Sequence, residues 1–472
     1  MLPGGQRKMS RGISIPPLVL ALLLPLHAQS NPYELLQRAI ARVHDILDRM
    51  PNYICTQTME RSESWGRPQA FIPGLSGAPK KPAPESGCYW TPEPDRDRYP
   101  QTDRVRVDLL LTSAGERYSW PRENRFQNRD LLSLVPIREN STGGFGGFLR
   151  SIFAGDNVFE YRGETVESGR AVRLYAFRVA REKSEYWFGT GTNRRIGACE
   201  GTFLVDPETA DLVRLVVRSS EPPELSGACR ATTTLSYSHR RVNDADLLLP
   251  SRSVLEFVGT VGEEATNISV YSDCHEFRGE STLRFEPPQR GQLPSSKPSE
   301  RPMLALPEGL PFRIAFTEDI SYRTAAAGDT FAAKLTTPIQ YASKHILVPA
   351  GAPIAARILD ADFARAHRMQ GVVGIAHLIF RLESLTINGV PYSFTATTAQ
   401  RIASDDPMDD DGVYVPYHDP NVARLVFAPN TALLKFYDVP SDFVLKAGRP
   451  SKWITGGKAP TVGCLSGMKP CK

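Results

Sequence analysis

The sequence lacks the spaced motifs that mark common enzyme and metal-binding classes. None of its seven cysteines stands in a Cys-x-x-Cys pair, and no His/Cys cluster has zinc-ligand spacing, which argues against a zinc module. A Gly-x-Ser-x-Gly elbow and a glycine-rich phosphate loop followed by Lys-Ser/Thr are also missing. We therefore predict no cofactor, no metal and no motif-based catalytic residue.

Charge and long apolar runs are also scarce. The net charge is only +4 over 472 residues, without the concentrated basic stripe of a nucleic-acid-binding protein. After the N-terminal segment there is no run of about 18 consecutive apolar residues, the length that spans a bilayer. The composition, with 41% hydrophobic and 23% charged residues, is that of a globular protein.

The N-terminus reads as a secretory signal peptide over residues 1–28. Arg7, Lys8 and Arg11 form a basic start, an apolar run covers 13–26, and cleavage is expected near Ala28. The alternative is a short membrane anchor. We predict an exported, periplasmic or extracellular protein, which can lie peripheral to a membrane.

Cysteine usage agrees with an oxidising compartment, where disulfides are favoured. Seven is an odd number, so at least one thiol is expected to stay free or to pair between chains. Cys229 and Cys274 share inward strand faces, although a simple meander would place them about 10 Å apart. The predicted bonds are Cys229–Cys274, then Cys55–Cys88 and Cys464–Cys471, with Cys199 left over and Cys199–Cys229 as the rival pairing.

A Pro/Ser-rich run divides the mature chain. Residues 287–302 read PPQRGQLPSSKPSERP, a linker composition. It separates a first domain of 29–286 from a second of 303–472.

The first domain is predicted to open with one amphipathic helix. Asn31 caps it, with Pro32 at the first helical position and Glu34 in a capping-box arrangement. Its apolar stripe recurs at spacings of three and four and consists of Tyr33, Leu36, Ile40, Val43 and Leu47.

Strands with one buried face follow. Apolar residues alternate with polar ones over 105–111, 213–217 and 231–237, and 206–211 reads as a turn. Because the connections are short, neighbouring strands should be antiparallel. A glycine-rich stretch then precedes a predicted short helix carrying Phe145, Phe148, Leu149, Ile152 and Phe153. This helix is either a permanent plug of the core or the cover of an apolar ligand.

The second domain is also predicted to be strand-rich. Alternation covers 312–316, a turn lies at 348–354, and Asn388-Gly389 is a strong hairpin signal. Residues 400–421 read as an acidic loop. The predicted fold class is mainly β: an α+β first domain with a curved antiparallel sheet and covering helices, then a small β-barrel or sandwich.

Four features of the sequence are candidates for a functional site. His275-Glu276 lacks the second histidine of a zinc peptidase, since Gly279 occupies its place. An acidic loop at 405–412 departs from the EF-hand template. His377 shares a strand face with Ile375 and Ile379, which is typical of a core or edge histidine. The segment 120–129 interleaves arginine and aromatic residues, as either a solvated strand edge or a polysaccharide or phospholipid surface.

The order of these elements resembles a known fold. One capped helix followed by antiparallel strands with a helical interruption is similar to the outer-membrane lipoprotein carrier fold, with 201–207 and 212–215 as the most similar stretch. The whole chain resembles a family of exported bacterial two-domain proteins of unassigned activity, through 51–56, 201–206 and 274–282. The second region, with 324–329 and 348–351, is similar to a small β module of envelope proteins. The resemblance implies an unclosed sheet that holds acyl chains.

Three functions remain open. The first is a non-enzymatic envelope protein that binds a lipid or lipidated protein, with Phe145, Phe148, Ile152 and Phe153 as ligand-binding residues. The second is an envelope scaffold that binds another protein. The third is a hydrolase with a scattered site, in which His275 or His239 lies near a carboxylate. The predicted partner of the protein is an apolar ligand or an envelope protein, and not a nucleic acid.

Overall fold

The computed structural model describes most of the chain between Asn31 and Gly456. The described residues are 31–49, 52–65, 100–112, 115–123, 126, 131–135, 146–154, 157–188, 195–221, 228–242, 245–259, 263–277, 301–341, 345–368, 371–398, 425 and 428–456. Several predictions fall elsewhere: the signal peptide, Phe145, Cys88, Cys464–Cys471, most of the linker and the acidic loops at 400–421 and 405–412 lie outside the described residues.

Among its described residues, the first region contains three α-helices and eleven strands. The helices are α1 (Pro32–Arg49), α2 (Leu131–Leu134) and α3 (Gly147–Ile152), and a 3-10 turn covers Arg181–Lys183. The strands are β1 (Tyr53–Trp65), β2 (Gln101–Thr112), β3 (Gly115–Ser119), β4 (Val158–Glu167), β5 (Arg170–Val179), β6 (Tyr186–Phe188), β7 (Arg195–Val205), β8 (Leu212–Glu221), β9 (Ala228–Val242), β10 (Ala245–Gly259) and β11 (Glu263–Glu276).

Helix α1 begins where the sequence predicts. The Asn31 side-chain oxygen accepts a hydrogen bond from the Tyr33 N–H at 3.0 Å, as an N-cap does. The buried stripe differs from the predicted one, because Tyr33 is 69% exposed while Leu35 and Ala39 are buried. Tyr33 lies in the first turn of the helix, and Leu35 takes its place in the buried stripe.

The predicted antiparallel strands are confirmed, and they form one sheet. Its order in the first region is β4-β5-β7-β8-β9-β10-β11-β1-β2. One face carries the buried member of each alternating pair, such as Val107, Leu215 and Leu235, and is called the inner face below. The pairing of β1 with β11 joins the beginning and the end of this region.

The described part of the second region contains twelve strands. They are β12 (Pro311–Phe316), β13 (Ile320–Ser321), β14 (Thr330–Leu335), β15 (Ile339–Gln340), β16 (Ile346–Val348), β17 (Pro353–Arg368), β18 (Gly371–Ile387), β19 (Val390–Tyr392), β20 (Ala396–Thr398), β21 (Thr431–Tyr437), β22 (Val444–Leu445) and β23 (Pro450–Thr455). The hairpin at Asn388-Gly389 is confirmed, since both residues have positive φ, at 50° and 79°, as a type I′ turn requires.

The main ladder of this region runs β20-β23-β12-β14-β17-β18-β21. The sequence predicts a small barrel or sandwich here; within the described residues, no strand ladder joins β20 to β21, so a closed barrel is not found. Instead, the side chain of Asn430 links the two ends by donating to the Phe394 carbonyl at 2.8 Å and accepting from the Ala396 N–H at 2.6 Å.

The two regions share a single sheet. Strand β17 pairs with β2 at Asp362↔Asp103, and Ala327 exchanges backbone hydrogen bonds with Arg104 and Arg106 at 2.8 and 2.7 Å. Strand β3 covers the rest of the same edge of β2. The second region therefore occupies backbone groups that would otherwise form an open edge.

Side chains reinforce this junction. Arg357 is 3% exposed; it forms a double hydrogen bond with Glu383 and donates to the Gly328 carbonyl at 2.8 Å. Its guanidinium lies 5.9 Å from the ring centroid of Trp120. The sequence predicts that Trp120 belongs to a solvated strand edge or a ligand surface. Its side chain is instead buried, at 5% exposure, because the second region covers it.

The buried side chains of the described residues form three groups. One is the core of the second region around Phe316, Phe380 and Trp453. The helix-covered core lies between α1, α3 and the inner face and includes Leu36, Phe148, Ile152, Phe203 and Leu235. The junction core contains residues of both regions, including Tyr53, Val105, Leu109, Ala327 and Ile379.

The disulfide joins different cysteines from those predicted. Cys55 bonds to Cys274, with 4.1 Å between their Cα atoms, so the predicted Cys229–Cys274 and Cys55–Cys88 bonds are wrong. The cause is the β1–β11 pairing, in which Asp273 and Cys274 together lie opposite Cys55 at a β-bulge. Cys199 is a free buried thiol, as predicted, which also excludes Cys199–Cys229.

Among the described helices, none combines the length and apolar character that a membrane crossing requires.

Candidate functional site

The site predicted from the phenylalanines forms the part of the helix-covered core beneath α3. Phe148, Ile152 and Phe153 are at most 4% exposed, and all three contribute to this core. The six residues of α3 begin at Gly147 without a side-chain cap. So short a helix has little stability of its own, and its position depends on these buried side chains.

An aromatic layer lies under the helix. Phe148 meets Tyr186 edge-on, with ring centroids 5.3 Å apart, and Phe153 meets Phe203 edge-on at 5.1 Å. Phe203 in turn stacks on Tyr175 at 5.3 Å. Such pairs add to the burial of area, so α3 is held mainly by apolar contacts with strands β5 to β7.

Polar contacts hold the C-terminal end of α3. The Asn157 side chain donates to the carbonyls of Ser151 and Ile152 at 2.6 and 2.9 Å, and His44 Nε2 lies 2.8 Å from the Phe153 carbonyl. These carbonyls would otherwise lack intrahelical partners. His44 belongs to α1, so the two helices are linked directly at this end.

Helix α1 is fixed to the sheet by an ionic network. Arg42 and His239 contact the two oxygens of Asp211 at 3.1 and 3.0 Å, and Asp246 lies 2.9 Å from His239 Nδ1. The hydrogen bond with Asp211 raises the pKa of His239. Burial opposes ionisation of Asp211, but the hydrogen bonds from His239 and Arg42 outweigh it and lower the pKa of that carboxyl.

Polar side chains also lie on the inner face where the helix-covered core meets the junction core. They are Gln57 and Tyr53 on β1, Tyr237 on β9 and Tyr271 on β11. The Gln57 amide donates to Ser269 Oγ at 2.9 Å. The alternation over 231–237 predicts that Tyr237 faces inward, but it assigns no function to this residue. The feature that could have indicated one is a polar group at a buried position of an alternating strand.

Burial is the main cause of a raised pKa at all three tyrosines. The charge of Glu116 raises the pKa of Tyr53 and Tyr271 further. The three hydroxyls therefore stay protonated at neutral pH and can donate hydrogen bonds.

A buried ionic pair stands at the junction. Arg61 and Asp103 form a two-bond pair in which neither side chain is more than 1% exposed. Across the β2–β17 pairing, Asp362 contacts Gln101 at 2.5 Å and His377 at 3.1 Å. His377 is 4% exposed; it is a core histidine that faces a carboxylate.

His239 and His275, the histidines of the predicted hydrolase site, both have other polar contacts. Both ring nitrogens of His239 already contact carboxylates, so neither is placed to accept a proton from a substrate. His275 is exposed and its Nδ1 lies 2.9 Å from the Asp273 carbonyl. No described cluster of three or more His, Cys, Asp or Glu side chains has an arrangement that could hold a metal ion.

Several solved structures are similar to about half of this chain. The chain is similar to a LolA superfamily protein from Nitrosomonas europaea, at 11% identity and a TM-score of 0.25 over 53% of this chain and 94% of that one. A DUF1329 family protein from Desulfovibrio piger matches at 9% identity and a TM-score of 0.28 over 54% and 98%.

A putative outer membrane lipoprotein-sorting protein domain from Vibrio parahaemolyticus matches at 10% identity and a TM-score of 0.22 over 52% of this chain and 93% of that one. No protein-family profile and no curated protein matches the chain.

Proposed function

We propose that this protein is an exported, non-enzymatic binding protein of the cell envelope that holds the apolar chain of a lipid or lipidated protein beneath α3. The attachment of α3 carries the proposal. Its apolar side chains lie on an aromatic layer, whereas the described polar contacts of Asn157 and His44 are confined to its C-terminal end. Such a helix can be displaced without breaking a strand ladder.

The free energy lost when the side chains of α3 leave the core is comparable to the free energy gained when an acyl chain is buried in their place. Fully burying an apolar side chain contributes about 1.5–3 kcal/mol, so the four of this segment contribute about 6–12 kcal/mol. Those four are Phe148, Leu149, Ile152 and Phe153. An acyl chain gains about 0.8 kcal/mol per buried methylene, so a chain of about ten to fifteen methylenes offsets the displacement of α3.

Export is part of the same proposal. The basic start and short apolar run at 1–28 are typical of a signal peptide. The Cys55–Cys274 bond supports a compartment in which disulfides persist, such as the periplasm or the cell exterior.

Binding of the neutral apolar fluorophore N-phenyl-1-naphthylamine to the full mature chain tests the proposal. We expect saturable uptake by the wild type and loss of uptake in Phe148→Glu. Val158→Glu is the matched control, since Val158 lies nearby on β4 but is 77% exposed. If Phe148→Glu fails to fold, the His44→Ala/Asn157→Ala variant replaces it, with faster uptake expected. A folded wild type without saturable uptake would overturn the proposal.

A second function, an envelope scaffold, is favoured by strand β4. Among the described strands, it pairs only with β5, and its Val158 and Val166 are 77% and 66% exposed. A partner strand can add to such an edge, although a bulge between Tyr161 and Gly163 and charges on the strand restrain it. Under this function Val166→Lys weakens partner binding and Phe148→Glu leaves it unchanged.

A further inference from the structure

Three buried polar atoms on the inner face have no hydrogen-bond partner among the described residues. They are the hydroxyls of Tyr53 and Tyr237 and Oε1 of Gln57, on side chains that are 0%, 9% and 2% exposed. A buried polar group without a partner destabilises a fold, and each case calls for an explanation. A bound group that forms hydrogen bonds with these atoms would provide that explanation.

The strand register places these residues on the same face of the sheet. Gln57 lies opposite Tyr271 on β11, and Tyr53 lies two pleats from Gln57 on the same strand and face. The charges of Tyr237 and Tyr271 raise the pKa of Tyr53, and that of Tyr271 raises the pKa of Tyr237, as expected of residues on one part of the inner face. Tyr237 belongs to the helix-covered core and Tyr53 to the junction core, so the three atoms lie where the two cores meet.

This position belongs to the same core as the proposed chain-binding site. Tyr237 and Phe148 are members of the same buried cluster. An acyl chain that replaced Phe148 and Ile152 beneath α3 would extend toward Tyr237. Its polar end would then reach the unpartnered atoms.

Their chemistry specifies the group that fits. Two protonated phenols offer donors, and Gln57 Oε1 offers an acceptor. The Glu116 carboxylate, which lies close enough to affect Tyr53 and Tyr271, disfavours an anion. The matching group is neutral and carries a carbonyl oxygen together with a hydroxyl or N–H.

We propose that Tyr53, Gln57 and Tyr237 form a site for the neutral ester or amide group of an acyl ligand, next to the chain-binding site beneath α3. This assignment rests on the proposed function, since the acyl chain is held there. It adds the selection of neutral acyl esters or amides over fatty-acid anions.

Competition for the bound N-phenyl-1-naphthylamine tests the proposal in the full mature chain. We expect 1-monooleoylglycerol to displace the fluorophore at lower concentration than oleate. The Tyr53→Phe/Tyr237→Phe variant should bind monooleoylglycerol about tenfold more weakly, the effect of losing about 1.4 kcal/mol, while its affinity for the fluorophore is unchanged. Tyr33→Phe is the control, because Tyr33 is 69% exposed.

The outcomes separate the two proposals. If the wild type takes up no fluorophore, the chain-binding function fails and this site fails with it. If fluorophore uptake is normal but the double variant keeps its affinity for monooleoylglycerol, only the polar site is overturned. Equal displacement by monooleoylglycerol and oleate in the wild type would overturn it as well.

Discussion

The helix-covered core and the junction core are held together by different means. Beneath α3 the contacts are aromatic and aliphatic, with polar contacts at one helix end. At the junction, backbone hydrogen bonds connect the two regions, and a buried ion pair stands on each side: Arg61–Asp103 in the first region and Arg357–Glu383 in the second. Apolar contacts can be exchanged for those of a ligand, whereas the junction contacts need fixed partners. Helix α3 is therefore the part that a ligand can displace, and the junction is the part that stays in place.

The largest effect is expected from breaking the buried pair at the junction. Asp103→Ala leaves the Arg61 guanidinium buried without the carboxylate that it contacts. Removing one member of a buried ion pair costs about 3–5 kcal/mol, and urea unfolding should show a loss of this size. Asp246→Ala is the control, because its side chain is 63% exposed. A loss below about 1 kcal/mol would contradict the structural role given to the pair.

The next effect is expected at Gly328. Its φ is 103°, and an added Cβ would lie 2.1 Å from the Arg106 carbonyl oxygen. Gly328→Ala should therefore force β2 away from the second region and lower the free energy of unfolding by about 2–4 kcal/mol.

Gly309→Ala separates the steric effect from backbone strain. Gly309 also has a positive φ, at 86°, but an added Cβ would meet nothing within 4 Å. Equal losses in the two variants would show that the close approach to Arg106 contributes nothing.

A smaller effect is expected at the end of α3. Asn157→Ala removes two hydrogen bonds to helix carbonyls, which should lower stability by about 1–2 kcal/mol and increase protease cleavage within 146–154. Asn388→Ala has no contact with α3 and should leave that cleavage unchanged. An unaltered cleavage rate in Asn157→Ala would mean that apolar contacts alone hold the helix.

The smallest effect concerns pH. The pKa of His239 is raised in the folded protein. Its contribution to stability is therefore fully present below the unfolded-state pKa of about 6.5 and is lost as pH rises through the folded-state pKa. The pKa of Asp211 is lowered, so its contribution appears above the unfolded value and is lost in acid. Tm should fall from pH 6 to pH 8 by less in His239→Gln than in the wild type; the same fall in both would refute this.

Local periodicity was enough to predict the elements of the site. Asn31 and the apolar spacing of α1, the alternation in β2, β8 and β9, and the short helix α3 all follow from patterns within about 15 residues. The exposure of Tyr33 shows the limit of such patterns, because a helix stripe does not specify where the covering surface ends.

Long-range pairing could not be predicted in the same way. Cys55 and Cys274 are separated by 219 residues, and no local pattern indicates that β1 lies beside β11. The burial of Trp120 depends likewise on Arg357, far along the chain. The polar atoms of Tyr53 and Gln57 became apparent only after the register had brought them together.

Native-state hydrogen exchange of the full mature chain tests the central distinction most directly. The N–H groups of Arg150 and Phe153 bond within the α3 segment, and those of Arg106 and Ala327 bond across the junction. The account predicts that the α3 amides exchange through local opening, at least about a hundredfold faster than the junction amides, which exchange only on global unfolding. Equal protection at both places would contradict it, because α3 would then be a permanent part of the core.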